Sequence, residues 1–449
     1  MTIKEGKKRP INRLKTMYSL RAKVDESYKR SVEAMKSGKP TVWSMLNWWE
    51  GDVIMKAMDL EMVYPENFGA VCAAQGVAPT YLDRADTDGF PTHLCGYSRN
   101  SFGYASRMMK ELKGEIPPEA PMGGMPRPVL LLASNVICDA RYKWFQSLGL
   151  YMNTPVWLLE MPIPGVKELF LEGVYDRYVG FVVSELREFI TFLERLLGKK
   201  MDWDRLDEMI TLTEQICRVW HNANELRKVK PCPVHSRDFW SAMTPALFLL
   251  GDLKDTLKCY QDLYNEVKER VDNHVSGILS EEKYRLMFSE IPPWHTLGFF
   301  DKLAERGWNF VIESWGYHPP IPIDLTKISD PLERLARFCL QFNVGYYQDA
   351  LKEGETYGYH AYPHFAYGRD WKIDGAFFHP LITCRSASNH LPTVREMLLQ
   401  KLSIPSLMIE GDLVDLRLFD PVDALNKAEP FEQTMDHYKE ERKKRGLDW

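Results

Sequence analysis

RPVLLLASNVICDAR (Arg127–Arg141) and IDGAFFHPLITCRSAS (Ile373–Ser388) decide how this chain is folded. Each runs from a short apolar strand pattern through a polar loop to a cysteine. Val129 stands nine residues before Cys138, and Gly375 nine before Cys384. Each cysteine leads into a helical pattern and then a strand opened by proline, PVWLLEMP from Pro155 and PSLMIEGD from Pro405. A glutamate follows five residues after each proline, Glu160 and Glu410. Upstream the correspondence continues. TVWSML (Thr41–Leu46), the loop NWWEGD, a helical stretch to Met58 and the strand EMVYPENF match YRLMFSE (Tyr284–Glu290), IPPWH, TLGFFDKLAERG and WNFVIES. Gly307 stands where a helix C-terminus takes glycine. A run of matches of this length points to an internal duplication.

Strand–helix–strand units with short apolar strands imply parallel sheets joined by right-handed crossovers. The expected fold is therefore α/β, with two similar Rossmann/flavodoxin-like lobes. The divisions read from the pattern are a helical N-terminal extension at 1–40, a first lobe at 41–179, a helical linking segment at 180–282, a second lobe at 283–428 and a C-terminal helix at 429–449. In the linking segment, DRLDEMITLTEQICRVWHNANEL has helical spacing, and Asp204 is expected to cap it. SRDFWSAMTPALFLLGDLKDTLKCYQDLYNEVKERV reads as a similar helical run. Ligands of parallel sheets bind beyond the carboxyl ends of the strands. Two facing lobes would thus bring Cys138 and Cys384 to one cleft.

Composition narrows the function. With 45% hydrophobic and 27% charged residues, the 449-residue chain is an ordinary globular protein. A net charge of −5 implies neither a nucleic-acid nor a membrane partner, and no stretch has the ~18 apolar residues of a span. The basic stretch KEGKKRPINRLK reads as a solvated arm or a docking segment. The N-terminus has no apolar signal region, so the cytoplasm is the expected location. Thiols stay reduced there, and the eight cysteines are expected to be packed thiols, nucleophiles or metal ligands. No C-x-x-C occurs, so any metal site is assembled from distant segments.

Cys217, Cys259 and Cys339 fall within amphipathic helical runs, and Cys72 and Cys232 in packed or turn settings; all five read as structural. Cys95 (in PTHLCGYSRN), Cys138 and Cys384 lie in polar loops. Three such thiolates suit a [4Fe–4S] cluster with one open iron, or zinc with an open fourth position. His93 beside Cys95 leaves a Cys–His nucleophile open. GETYGYHAYPHFAYGRDW reads either as a packed loop or as an aromatic pocket wall, with His360 or His364 as proton donors. SGKPT lacks the upstream glycine of a phosphate-binding loop, and no G-x-G-x-x-G opens a helix.

HLCGYSRN, SNVICD, DGAFFHPLITCRSASN and IPSLMIEGD resemble the family of 2-hydroxyacyl-CoA dehydratase and ATP-dependent benzoyl-CoA reductase subunits, over about Thr41–Asp415. The opening MLNWWEGDVIMKAMDLEMVYPENFGAVCAAQG is most similar to the larger, B-type subunits of the reductase branch. The resemblance implies that Cys95, Cys138 and Cys384 carry a [4Fe–4S] or related iron–sulfur cluster. It implies a homologous smaller catalytic subunit as partner, and ATP-hydrolysing iron–sulfur activator subunits fed by reduced ferredoxin. ATP would then bind the partner, in line with the missing nucleotide motif here. The expected activity is that of an oxygen-sensitive oxidoreductase subunit reducing benzoyl-CoA, or a close aromatic acyl-CoA, to a cyclohexadienoyl-CoA. The alternatives are dehydration of a 2-hydroxyacyl-CoA, and a cluster-bearing scaffold whose sister subunit holds the substrate. Arg99 and Arg385, near two of the cysteines, are candidate substrate-binding residues that could also shape the cluster's field, and Arg99 reads equally as a ligand of CoA phosphate or as the partner of a structural carboxylate.

Overall fold

The computed structural model describes residues 9–163, 165, 167–314, 323–355, 361–447 and 449. Its frame is a pair of four-stranded parallel sheets. In the first, β1 (Thr41–Ser44) lies between β2 (Glu61–Val63) and β3 (Leu130–Ser134), and β4 (Val156–Leu159) is outermost. In the second, β5 (Tyr284–Ser289) lies between β6 (Trp308–Glu313) and β7 (Gly375–Phe378), with β8 (Ser406–Met408) outermost. The two strand orders are the same, as the duplicated pattern requires. Val42 pairs with Met62 and Leu130, and Phe288 with Glu313 and Phe377. Strand order reverses between β1 and β3 and between β5 and β7, which makes those two positions the switch points where ligands bind.

Both faces of each sheet are covered, so β1, β3, β5, β6 and β7 are buried along their length. Side chains alternate between the faces with a period of two. Val42, Leu130 and Leu132 share a core with Leu186 and Ile210 of the linking helices and with Leu335 of a later helix. Trp43, Leu131 and Ala133 pack on Phe68, Tyr81, Tyr104 and Phe145. In the second lobe, Leu286, Phe288 and Phe377 meet Phe300, Phe431 and Met435. Met287, Val311 and Phe378 meet Tyr362, Val394 and Leu398.

The linking helices are Val174–Leu197, Trp203–Glu225 and Leu253–Asp272, and Pro331–Lys352 packs against the first two. The cap of the second is Asp202, two residues before the expected Asp204: Asp202 is extended, and its carboxylate accepts from Arg205 N at 3.0 Å. The long run from Ser236 is broken into Ser236–Ala242, Thr244–Leu247 and Leu253–Asp272. Gly251 turns at φ +75°, and Asp252 caps the last piece by accepting from Lys254 N and Asp255 N. Helical spacing continued through this break, but the Gly–Asp pair restarts the helix. The C-terminal helix runs Pro421–Lys444 and covers the second sheet through Phe431 and Met435. Among the described residues no helix is long and apolar enough to cross a membrane.

The lobes meet in a packed seam. Ile291, Leu381, Ala387, Leu413 and Val414 of the second lobe enter the core that holds Phe68, Tyr81 and Phe102 of the first. The loops carrying the polar-context cysteines lie along this seam.

Candidate active site

Each of the three cysteines lies on the N-terminal approach to a helix. Cys95 precedes the helix Gly96–Ser106, Cys138 follows β3 and precedes Ala140–Met152, and Cys384 follows β7 on the approach to Leu391–Leu402. Cys72, Cys217, Cys232, Cys259 and Cys339 are buried, whereas these three are half-buried. All three line one cavity of about 840 Å³ between the lobes.

Burial pushes the Cys95 thiol well above its usual range, and the charge of Cys384 adds to that. Burial also raises Cys384 to about 12 and raises Cys138, which Arg141 partly offsets. Backbone N–H groups favour the thiolate at each position: Ser98 for Cys95, Arg141 and Ala140 for Cys138, and Ala387 for Cys384. Three desolvated, mutually repelling thiols with N–H groups directed at them are a donor set that a cationic soft metal centre would stabilise. One zinc fits poorly. Sulfurs bound at ~2.3 Å to one ion lie at most about 4.6 Å apart. Among the described residues, this trio is not a group whose donor atoms all fall within 4.8 Å. A cluster in which each thiolate takes its own iron does not require that close an approach.

A polar frame holds the cysteine loops across the seam. A Cβ on Gly96 would lie 2.5 Å from Asp412 Oδ1 and 3.0 Å from Val414 Cβ, so the first turn of the Cys95 helix touches the second lobe only because residue 96 is glycine. Asp412 Oδ1 accepts from Val414 N at 2.8 Å and Asp415 N at 2.7 Å, and Thr383, next to Cys384, donates to Oδ2. Ser386 Oγ donates to Ile137 O at 2.9 Å, joining the Cys384 and Cys138 loops. Arg99 is fully buried and donates to Asp415 at 3.0 Å, to Thr92 O at 3.3 Å and to Asp86. Burial would raise the Asp415 carboxyl, but Arg417 and Arg99 hold it below its usual range.

The remaining sequence candidates divide. Arg385 lines the cavity mouth, 79% exposed and 3.7 Å from Asp139. Arg99 belongs to the frame and is absent from the cavity wall. His93 is exposed and off the wall, away from the role of a base for Cys95. His364 is buried behind β5, with Nε2 2.8 Å from Ser289 Oγ, and is also off the wall. His360 lies outside the described residues. The aromatic stretch after it packs as a helix, Ala361–Asp370, in the second-lobe core. Glu160 and Glu410 are exposed and away from the cavity.

Two lining residues are not singled out by the sequence pattern. Tyr97 Oη accepts from Trp294 Nε1 at 2.7 Å across the seam, and burial pushes its phenol well above its usual range. His295 Nε2 donates to Asp412 O at 3.0 Å, its Nδ1 lies 2.6 Å from Thr296 Oγ1, and burial lowers its pKa. A usable signal existed for both. Tyr97 is two residues from Cys95, and His295 occupies the tryptophan-bearing loop of the second repeat. The inner wall is aromatic: Phe90, Tyr97, Phe102, Trp144, Trp240 and Trp294. The mouth is basic, with Arg9 and Arg13 of the N-terminal stretch joined by Arg21, Lys143 and Arg385.

The model of the family described as 2-hydroxyglutaryl-CoA dehydratase, D-component, matches residues 52–429. The (R)-2-hydroxyisocaproyl-CoA dehydratase alpha subunit of Clostridioides difficile is 24% identical over 425 residues, 93% of this chain and 95% of its own. The B-type subunit of benzoyl-CoA reductase from Thauera aromatica is also 24% identical, over 440 residues, 91% of this chain and 92% of its own. The alpha subunit of (R)-2-hydroxyglutaryl-CoA dehydratase from Acidaminococcus fermentans is 22% identical over 484 residues, 93% and 96% of the two chains. The relatives are enzyme subunits of two reaction types, and identity does not separate the types.

Proposed function

The chain belongs to the 2-hydroxyglutaryl-CoA dehydratase D-component family, and from that premise we propose that it is the catalytic, iron–sulfur subunit of an enzyme reducing an aromatic acyl-CoA. The observation that carries this reading is the cavity itself. Three thiols from both lobes, an aromatic inner wall and a basic mouth line one space of about 840 Å³. That volume and lining suit a ligand with a flat apolar end and a phosphate-bearing tail.

Cys95, Cys138 and Cys384 would hold a [4Fe–4S]-type cluster, which when bound supplies low-potential electrons. The chain's own residues do the rest. Phe102, Trp144 and Trp240 exclude water from the acyl group. Tyr97, whose oxygen accepts from Trp294, has its own proton available to donate toward the cavity. The cations at the mouth receive the CoA phosphates. The partners proposed are a homologous smaller subunit and ATP-hydrolysing activator subunits fed by reduced ferredoxin, with the complex in the cytoplasm.

A second reading, dehydration of a 2-hydroxyacyl-CoA, is favoured by the family description and by relatives named as dehydratases. The complex purified anaerobically through a tag on this chain separates the two. With ATP and reduced ferredoxin it is expected to convert benzoyl-CoA to cyclohexadienoyl-CoA. Turnover of 2-hydroxyacyl-CoA to enoyl-CoA, with benzoyl-CoA untouched, would replace the first reading with the second.

A further inference from the structure

We propose that Glu290, His364 and His390 form a second metal site, for a divalent ion of borderline softness such as zinc. The three residues come from separate segments. Glu290 follows β5, His364 lies on the helix Ala361–Asp370, and His390 precedes the helix Leu391–Leu402. Their donor atoms nevertheless all lie within 4.8 Å of one another, and among the described residues this is the group of three that does so. Glu290 and His364 are 6% and 2% exposed, and the His390 side chain 12%.

The donor chemistry points to the ligand. Two imidazoles and one carboxylate match zinc and the neighbouring divalent transition ions rather than calcium or magnesium. The ligands are already oriented. His390 Nε2 lies 2.9 Å from Glu290 Oε1, His364 Nε2 lies 2.8 Å from Ser289 Oγ, and the two rings are 5.6 Å apart. Glu290 has φ +79°, a left-handed conformation that a non-glycine residue adopts at a cost. Its backbone N–H donates to Ser314 Oγ at 3.0 Å, which holds that turn. Among the described residues the basic side chain within salt-bridge distance of this buried carboxyl is His390, and no lysine or arginine there reaches it.

The site is separate from the catalytic cavity, whose wall none of the three residues joins. It is nevertheless close behind it. His390 is six residues after Cys384, and the charge of Glu290 reaches Cys384. A bound ion would tie the end of β5, the helix Ala361–Asp370 and the segment after Cys384 into one unit. Among the described residues the first lobe carries no such set: Glu50 takes Ser134 Oγ at 2.9 Å instead.

The test uses the anaerobic holo-complex dialysed against zinc and then against buffer. Zinc and iron are counted by mass spectrometry, and zinc ligands are read from X-ray absorption at the zinc edge. About one zinc per chain with a nitrogen–oxygen shell is expected. His364→Ala, His390→Ala and the near-isosteric Glu290→Gln should each weaken zinc retention more than about tenfold while iron stays constant. Absence of zinc from the wild type, sulfur in its shell, or full retention in Glu290→Gln would overturn the site. Because iron is counted separately, failure here is distinguishable from failure of the cluster assignment.

Discussion

In the first lobe the carboxyl end of β1 closes over Glu50 and Asp52; in the second, the end of β5 closes over Glu290 with His364 and His390. The strand order is the same, and the buried chemistry differs. Glu50 is pushed to about 8 by burial, despite the Ser134 hydroxyl, and Asp52 to about 7 by burial, despite Asn47 and Ser44. The first lobe therefore buries carboxyls that tend to keep their protons, whereas the second pairs its carboxylate with imidazole. A duplicated scaffold fixes where polar side chains converge and leaves their identity free. The shared cavity is the exception, because there each lobe contributes a cysteine from the same place.

That symmetry gives the largest expected effect. Cys138→Ser and Cys384→Ser should each strip iron and abolish turnover, as should Cys95→Ser, while Cys259→Ser keeps both. Elemental analysis and EPR read the result, and equal iron loss in Cys259→Ser would break the assignment. Next comes the tie between lobes. Arg99→Ala leaves Asp415 buried beside Arg417 alone and should cost about 3–5 kcal/mol in denaturant unfolding. Arg99→Lys should recover little of this, since a lysine cannot reach several acceptors in one plane. Gly96→Ala pushes a methyl group against Asp412 and should cost about 1–3 kcal/mol.

The carboxyl contrast sharpens through pH. Glu50 has a folded-state pKa near 8 against an ordinary 4.5. Below the lower value both states are protonated and nothing is lost. As pH rises toward 8, the unfolded chain ionises while the folded one holds its proton, so stability falls. Glu50→Gln should flatten this decline and unfold later than wild type at pH 8, with little difference at pH 4.5. The smallest effect belongs to the mouth. Arg385→Ala should raise KM for the acyl-CoA about two- to fivefold with kcat unchanged, a difference that high salt erases.

The parallel lobes were legible because the inner strands, buried on both faces, read as continuous apolar runs, and because the two runs end in cysteines at equal spacing. The Gly251–Asp252 break was less legible, since helical spacing persists on both sides of it. Arg99 illustrates a different limit. An arginine near a cysteine in sequence left phosphate and a structural carboxylate equally open, and the carboxylates that hold it, Asp86 and Asp415, are 13 and 316 residues away. His364 likewise read as a possible proton donor, and in the fold it faces Ser289 and Glu290 behind the sheet.

By itself the sequence determined the duplication, the parallel sheets and the three cysteines set apart from the packed ones, since all of these rest on local spacing and residue type. The tertiary structure decided which side chains share a space. The aromatic wall, the Tyr97–Trp294 contact, the Asp412 frame and the Glu290–His364–His390 cluster each join residues brought together by the docking of two lobes. Contacts of that kind leave no periodic trace in the chain, because side chains meet across a seam whose geometry depends on the packing of both cores at once.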